Sequence, residues 1–353
     1  MAAGEPSWWY GAGGWVPRVL APAGTIYGVL TAQRMQRKPS YRAEIPVVAI
    51  GNFTAGGTGK TPFVRVVVEA LRALDHKPVV ISRGYGGRTK GPHWVELCDT
   101  AATVGDEPRM LAENMAVMVA RDRVAGAKVI DTRVSPTPDA TVIVMDDGVQ
   151  NPALAKTLTF AVVDAARGFG NGRCIPAGPL RAPLEAQVAY ADALVLNRGD
   201  GSAPLAPSVE ALLRDFSGAV LSGAVAPAGD VSWLKGARVI AYAGIGVPER
   251  FFATVVAAGG LICKRVAFAD HYAFSESDAE RLLQLAHAEH AVLVTTEKDK
   301  VRLRWQAGAL AKLAAASRVL PIRLALDAAS TAALQAMLAT RVPRPAGSRP
   351  HVT

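Results

Sequence analysis

The sequence predicts an α/β protein with a parallel-sheet domain followed by a second, smaller α/β domain. Three observations predict it. Short apolar runs without alternation recur along the chain, as in strands buried on both faces. Stretches with helical periodicity separate them, which is the order of a parallel sheet covered by helices. A glycine-rich turn joins the first of these runs to the first periodic stretch.

The elements follow in order. Residues 45–50 are a β-branched run, and Val64, Val67, Val68, Leu71 and Leu74 mark one face of a helix over 62–74. Further strands are expected at 78–81, 116–119, 140–145, 158–163 and 193–196. Residues 199–207 have two prolines and no periodicity, so the boundary is placed near 200. The alternation then resumes with strands at 239–243, 262–267 and 291–295 and helices at 248–258 and 276–288. A last strand at 319–324 and a helix at 328–339 complete it. The resulting division is 1–44 for an N-terminal segment, 45–200, 201–340, and a Pro- and Arg-rich tail over 341–353.

Composition narrows the function classes. Half of the 353 residues are hydrophobic, enough for two cores, and 39 Lys and Arg against 30 Asp and Glu give a net charge of +9. That balance favours anionic partners. No nucleic-acid recognition motif, zinc-like spacing or aromatic RNA platform is present, so phosphates or a membrane face come first. Cys98, Cys174 and Cys263 are odd in number and widely spaced, as expected of reduced thiols. No basic stretch precedes the first apolar residues, so a cleavable signal peptide is not expected.

The N-terminus carries Trp8, Trp9, Tyr10 and Trp15, then a charge-free run of 14 residues from Val19 to Ala32. A bilayer-spanning helix needs about 20 apolar residues. The run suits a segment lying among lipid headgroups, with Arg34, Arg37, Lys38 and Arg42 facing anionic lipid. An ordinary core helix is the other reading.

The strongest chemical signal is the segment Gly51 to Thr61, GNFTAGGTGKT. It lies between a strand and a helix, the context of a P-loop. Thr54, Gly56, Gly57, Thr58 and Gly59 would wrap backbone N–H groups around the phosphates of ATP at the positive end of a helix. Lys60 would reach the β- and γ-phosphates and Thr61 would hold Mg²⁺. Thr54 stands where the usual pattern has its first glycine. Asp146 and Asp147 end the strand at 141–145, and carboxylates there sit beside a P-loop and fix the metal. SRGYGG (82–87), VGDEP (104–108), GFGNGR (168–173), PAGPLR (176–181), FADHY (268–272) and TTEKD (295–299) are each ordinary turns when taken alone. Nearly all fall where a strand ends, the edge at which α/β proteins bind ligands.

Taken together, these motifs resemble the tetraacyldisaccharide 4′-kinase family of lipid A synthesis from about Trp15 to Leu326. The resemblance implies transfer of the ATP γ-phosphoryl to the 4′-hydroxyl of an acylated glucosamine disaccharide 1-phosphate, giving lipid IVA. It implies an active site between two α/β domains, no nucleic-acid or protein partner, and an N-terminal helix on the cytoplasmic face of the bacterial inner membrane. It implies Asp106 as catalytic base with His271 as its partner. Glu107, Asp146 and Asp147 would surround the metal with Thr61. Lys60 and Arg181 would offset phosphoryl charge, and Tyr85, Arg123, Asn171 and Arg181 would contact substrate. Two positions depart from the family pattern: Asn151 replaces a His and Ala182 replaces a Glu. The alternatives are a P-loop kinase or GTPase of another substrate class and a nucleotide-switch ATPase or GTPase acting on another partner. A switch would hydrolyse nucleotide without an acceptor.

Overall fold

Val47–Gly51 (β1) is the middle of the larger sheet because all five residues are buried, and β-branched residues without polar alternation need cover on both faces. The computed structural model describes residues 5–11, 14–134, 140–201 and 203–343. Along the larger region follow β2 (Lys77–Ser82), β3 (His93–Trp94), β4 (Ala116–Val119), β5 (Thr141–Asp146), β6 (Leu158–Asp164), β7 (Ala193–Asn197) and β8 (Ala219–Pro227). A smaller sheet holds β9 (Arg238–Ala243), β10 (Leu261–Ala267), β11 (Val292–Thr295) and β12 (Ser317–Val319). The chain then returns as β13 (Ile322–Leu326).

The nine-strand order is β13-β8-β7-β6-β1-β5-β2-β4-β3, parallel except for the two edge pairs β13/β8 and β3/β4. The second sheet, β10-β9-β11-β12, is parallel throughout.

The helices are α1 (Trp15–Met35), α2 (Lys60–Ala73), α3 (Ala101–Val104), α4 (Asp106–Leu111), α5 (Arg123–Val134), α6 (Leu184–Val188) and α7 (Pro207–Asp215). They continue as α8 (Pro248–Ala257), α9 (Glu276–Ala288), α10 (Glu297–Leu303), α11 (Gly308–Ala316) and α12 (Ala328–Arg341). Helix α2 buries Phe63, Val64, Val67, Val68 and Leu71 against β1, β5 and β6, and Phe63 meets Phe160 edge-on at 5.3 Å. Leu334 and Leu338 of α12 close the same core.

The sheets do not divide at residue 200. Strands β8 and β13 and helix α12 lie beyond that position yet belong to the larger sheet and its core. The smaller sheet is therefore an excursion between β8 and β13. Strand β8, rich in Ala, Gly and Ser, has weak β propensity and is held by pairing on both sides. The single strand expected at 319–324 is two. Leu320–Pro321 interrupts it, since proline offers no N–H to a ladder, and β12 and β13 then join different sheets. Of the expected tail, residues 341–343 are described: Arg341 ends α12 and Val342 packs against the core. The remainder, 344–353, lies outside the described residues.

The aromatic cluster at the N-terminus is split. Trp9 is buried and its indole donates to Pro176 O at 3.1 Å, while Tyr10 stacks 3.7 Å from the Arg167 guanidinium. Helix α1 lies on the 174–177 loop through glycines. A Cβ on Gly24 would fall 2.7 Å from Cys174 O, and one on Gly28 would fall 2.8 Å from Cys174 Sγ. Trp15, Val19, Ile26 and Leu30 are each more than 60 % exposed. At about 100° per residue they form one stripe, opposite the buried Pro17, Gly24, Gly28 and Met35. No helix among the described residues is long and apolar enough to cross a membrane.

Candidate active site

Parallel strands end on one edge, and this edge collects the polar groups. Register pairs Ile50 of β1 with Asp146 of β5, which sets the Asp146–Asp147 pair beside the loop that leaves β1. Gly56 (φ +100°) and Gly59 (φ +92°) turn that loop in the left-handed region. The backbone at Thr54 stays outside that region, so nothing there demands glycine. Thr54 O accepts from Arg181 Nε at 3.1 Å and from Asn52 Nδ2 at 2.6 Å. Asn197 Nδ2 donates to Thr58 O at 2.9 Å. It leaves no room for a Cβ on Gly59, and Gly56 is covered by the Glu5 carboxylate, which pairs with Arg167. Gly57 has open space where a Cβ would stand.

Gly59→Ala is therefore expected to cost about 1–2 kcal/mol of stability and at least about tenfold in ATP affinity. Thermal melting and nucleotide titration check this. Unchanged values in both would contradict a cradle that depends on this backbone.

Lys60 begins α2. Its ammonium donates to Asn52 Oδ1 at 3.1 Å and lies 3.7 Å from Asp147 Oδ1. Burial pushes its pKa down, against the opposing pull of Asp147. Arg181 Nη1 donates to both Asp147 oxygens, at 2.8 and 2.7 Å. Burial works against ionisation of Asp147, but Arg181 and Lys60 outweigh it and hold the carboxyl well below the usual range. Asp147 has φ +57°, a conformation that Asp tolerates better than most residues.

Asp146 behaves oppositely. Burial, then the charges of Glu107 and Asp147, push its pKa up to about 6. Ser82 Oγ donates to Oδ2 at 3.3 Å, and buried Oδ1 has no partner. Glu107 Oε1 accepts from Thr61 Oγ1 at 3.3 Å and pairs with Lys298. Three crowded carboxylates and an orphaned oxygen suit a divalent cation. Among the described residues no three His, Cys, Asp or Glu side chains form a ready-made cage. Mg²⁺ needs none, because it keeps waters and substrate phosphates among its ligands.

The second sheet faces this edge. The loop after β10 brings His271 Nδ1 to 3.0 Å from Asp106 Oδ2. Asp106 opens α4 and is 4 % exposed. Burial disfavours its charge, yet the hydrogen bond from His271 and the charges of Arg302 and Lys298 hold it well below the usual carboxylate range. The same hydrogen bond raises the His271 pKa, against burial. Tyr85, largely exposed, lies 5.3 Å ring to ring from His271. A cavity of about 310 Å³ adjoins the pair, bounded by Gly86, Tyr272 and Phe274.

Two expected contact residues spend their hydrogen bonds on the protein's own backbone. Arg123 is 4 % exposed and donates to Ala120 O and to the backbone O of Asp146, supporting that residue from below. Asn171 donates to Trp8 O and Ala177 O, at 3.2 and 2.8 Å, and ties the 168–178 loop to the N-terminal segment. Of the two departures, Asn151 caps a turn through Ala153 N and Ala182 is fully buried in the core.

Sequence reasoning missed the polar frame. Buried Gln187 donates to Phe53 O and Ala182 O and accepts from Gln150, which also holds Asn52 O. It also missed Lys298 and Arg302 as partners of Glu107 and Asp106. The TTEKD motif contained Lys298, but no spacing signalled that α10 crosses to α4.

The LpxK family model, described as tetraacyldisaccharide-1-P 4′-kinase, matches residues 16–342. A tetraacyldisaccharide 4′-kinase of Rhodopseudomonas palustris (strain HaA2) is 44 % identical over 342 residues, covering 96 % of this chain and 97 % of the relative. One of Bradyrhizobium diazoefficiens is 47 % identical over 306 residues, covering 86 % and 88 %. The fold is similar to the crystal structure of Aquifex aeolicus LpxK in complex with ATP. The TM-score is 0.70 at 23 % identity, covering 92 % of this chain and 99 % of that one. A family match over most of the length and relatives this similar lead to one conclusion: the chain belongs to the tetraacyldisaccharide-1-P 4′-kinase family.

Proposed function

We propose that the chain transfers the γ-phosphoryl group of ATP to the 4′-hydroxyl of a tetraacylated glucosamine disaccharide 1-phosphate at a membrane surface. The observation that carries this is the contact of Asp106 with His271 across two sheets, beside a phosphate loop.

A sugar hydroxyl is a poor nucleophile until its proton has somewhere to go. Asp106 is ionised and adjoins the cavity that would receive the sugar. In a loose phosphoryl-transfer transition state the hydroxyl becomes acidic late, as its oxygen bonds to phosphorus, so a weakly basic carboxylate suffices. His271 orients Asp106 and offsets its charge. The backbone N–H groups from Thr54 to Gly59 bind the phosphates, and Lys60 and Arg181 stabilise the charge on the moving phosphoryl group. Thr61, Glu107, Asp146 and Asp147 would hold Mg²⁺, which neutralises phosphate charge when bound. Arg123 fixes the backbone of Asp146, and Asn171 shapes the loop that delivers Arg181. Tyr85 lines the approach to His271 and contacts the sugar.

The exposed stripe of α1 rests on lipid, with the acyl chains remaining in the bilayer on the cytoplasmic face of the inner membrane. Removing residues 1–32 would also remove buried Trp9, so Ile26→Glu with Leu30→Glu is the cleaner test. Charging two exposed positions is expected to weaken vesicle co-sedimentation at least about tenfold, from about 2–4 kcal/mol of lost apolar transfer. Turnover on a short-chain, dispersed acceptor should be retained. Unchanged co-sedimentation would contradict a lipid-facing stripe.

ADP release with and without acceptor separates a kinase from a nucleotide switch. The expected result is negligible release until the acylated disaccharide is added. Equal release in its absence would favour hydrolysis.

A further inference from the structure

Helix α10 carries the second half of the TTEKD motif and crosses to the larger sheet at three points. Glu297 pairs with Arg65 at 2.9 Å, Lys298 with Glu107, and Arg302 with Asp106. Arg302 differs from the other two in how it is anchored. Its Nη1 donates to Asp299 Oδ1 and to Gly244 O, both at 2.7 Å. Asp299 is fully buried and accepts from Gly244 N at 3.1 Å and from Thr296 Oγ1 at 2.6 Å. Gly244 O also accepts from His271 N at 3.2 Å. One short segment after β9 therefore sets both the His271 backbone and the Arg302 guanidinium.

The remaining faces of that guanidinium, Nε at 2.9 Å and Nη2, reach Asp106 Oδ2, the oxygen that His271 Nδ1 also engages. Asp106 Oδ1 has a contact from Glu107 N at 3.2 Å. With Oδ2 held by two partners, rotation of the carboxylate is opposed, and Oδ1, with one contact, keeps a lone pair.

We propose that Arg302 is a positioning residue for phosphoryl transfer: anchored on Asp299 and Gly244, it locks Asp106 Oδ2 and so presents Oδ1 to the acceptor hydroxyl. This rests on the reading of Asp106 as proton acceptor. A planar fork suits the task, because it spans two acidic groups and a carbonyl in fixed directions. Joining the two sheets does not require it, since Arg65–Glu297, Arg250–Asp164 and Arg304–Glu113 also bridge them.

The test is kcat and KM for ATP and acceptor in Arg302→Ala, Arg302→Lys, Asp106→Ala and the Asp106→Ala/Arg302→Ala double variant. Arg302→Ala is expected to lower kcat by about a hundredfold with both KM values within about threefold. Arg302→Lys, which keeps the charge without the fork, should recover about tenfold of that loss. In the Asp106→Ala background, Arg302→Ala should change kcat by less than about twofold, because the group it positions is gone. A kcat within about threefold of wild type in Arg302→Ala, or a loss that multiplies onto that of Asp106→Ala, would overturn the proposal. If Arg302→Ala fails to fold, Arg302→Lys decides: a lower kcat at unchanged KM supports the assignment, and wild-type kcat overturns it. Near-normal turnover in Asp106→Ala would instead remove the reading on which the proposal rests.

Discussion

Lys60→Ala is expected to lower turnover by about a hundred- to a thousandfold, about 3–4 kcal/mol of transition-state stabilisation, in a protein that still folds. The ammonium sits in a buried, acid-lined corner, with Asn52 Oδ1 at 3.1 Å and Asp147 Oδ1 at 3.7 Å. Without it, Asp146, Asp147 and Glu107 face the incoming phosphates with Arg181 as the cation left beside Asp147. ATP affinity should therefore fall as well, by about tenfold. The fold should persist, because the helix it opens is held by Phe63, Val64, Val67, Val68 and Leu71. Turnover, ATP titration and thermal melting of the purified variant are the measurements. Turnover within about threefold of wild type would contradict the assignment of this loop.

The second large effect lies at the Asp106–His271 contact. Either single substitution by Ala should lower turnover by about a hundred- to ten-thousandfold, the range of general-base catalysis. The double substitution should cost far less than the product of the two, because residues that act as a unit lose their shared contribution once. Geometry supplies the coupling: His271 Nδ1 and Asp106 Oδ2 are 3.0 Å apart and each shifts the other toward its charged form. Saturating ATP isolates this step from nucleotide binding. Fully multiplicative losses would show independent action and move His271 to substrate binding.

Much of this site is legible in the residues, for a physical reason. A buried parallel strand needs apolar residues on both faces, so its C-terminal end is visible as the point where polar residues begin. Asn52, Ser82, Asp146 and Asn197 all stand at such points. The glycines at 56 and 59 are equally visible, because their backbone conformations exclude most other residues. Contacts between the sheets are not visible. Lys298 and Arg302 look like the solvated face of a short helix until α10 is placed against α4. Strand β8 hides for another reason: its residues have little intrinsic preference, and only its neighbours make it a strand. Helix α1 hides its inner face because glycines, not bulky side chains, make the contact with Cys174.

The most direct test of the account follows the phosphoryl group itself. Wild-type protein is incubated with γ-labelled ATP and a tetraacyldisaccharide 1-phosphate, and the label is located on the product by mass spectrometry and phosphorus NMR. The account predicts one new phosphomonoester, at the 4′-hydroxyl, formed at least about a hundredfold more slowly by Lys60→Ala and by Asp106→Ala. Label at another hydroxyl, or label found only as inorganic phosphate, would contradict it.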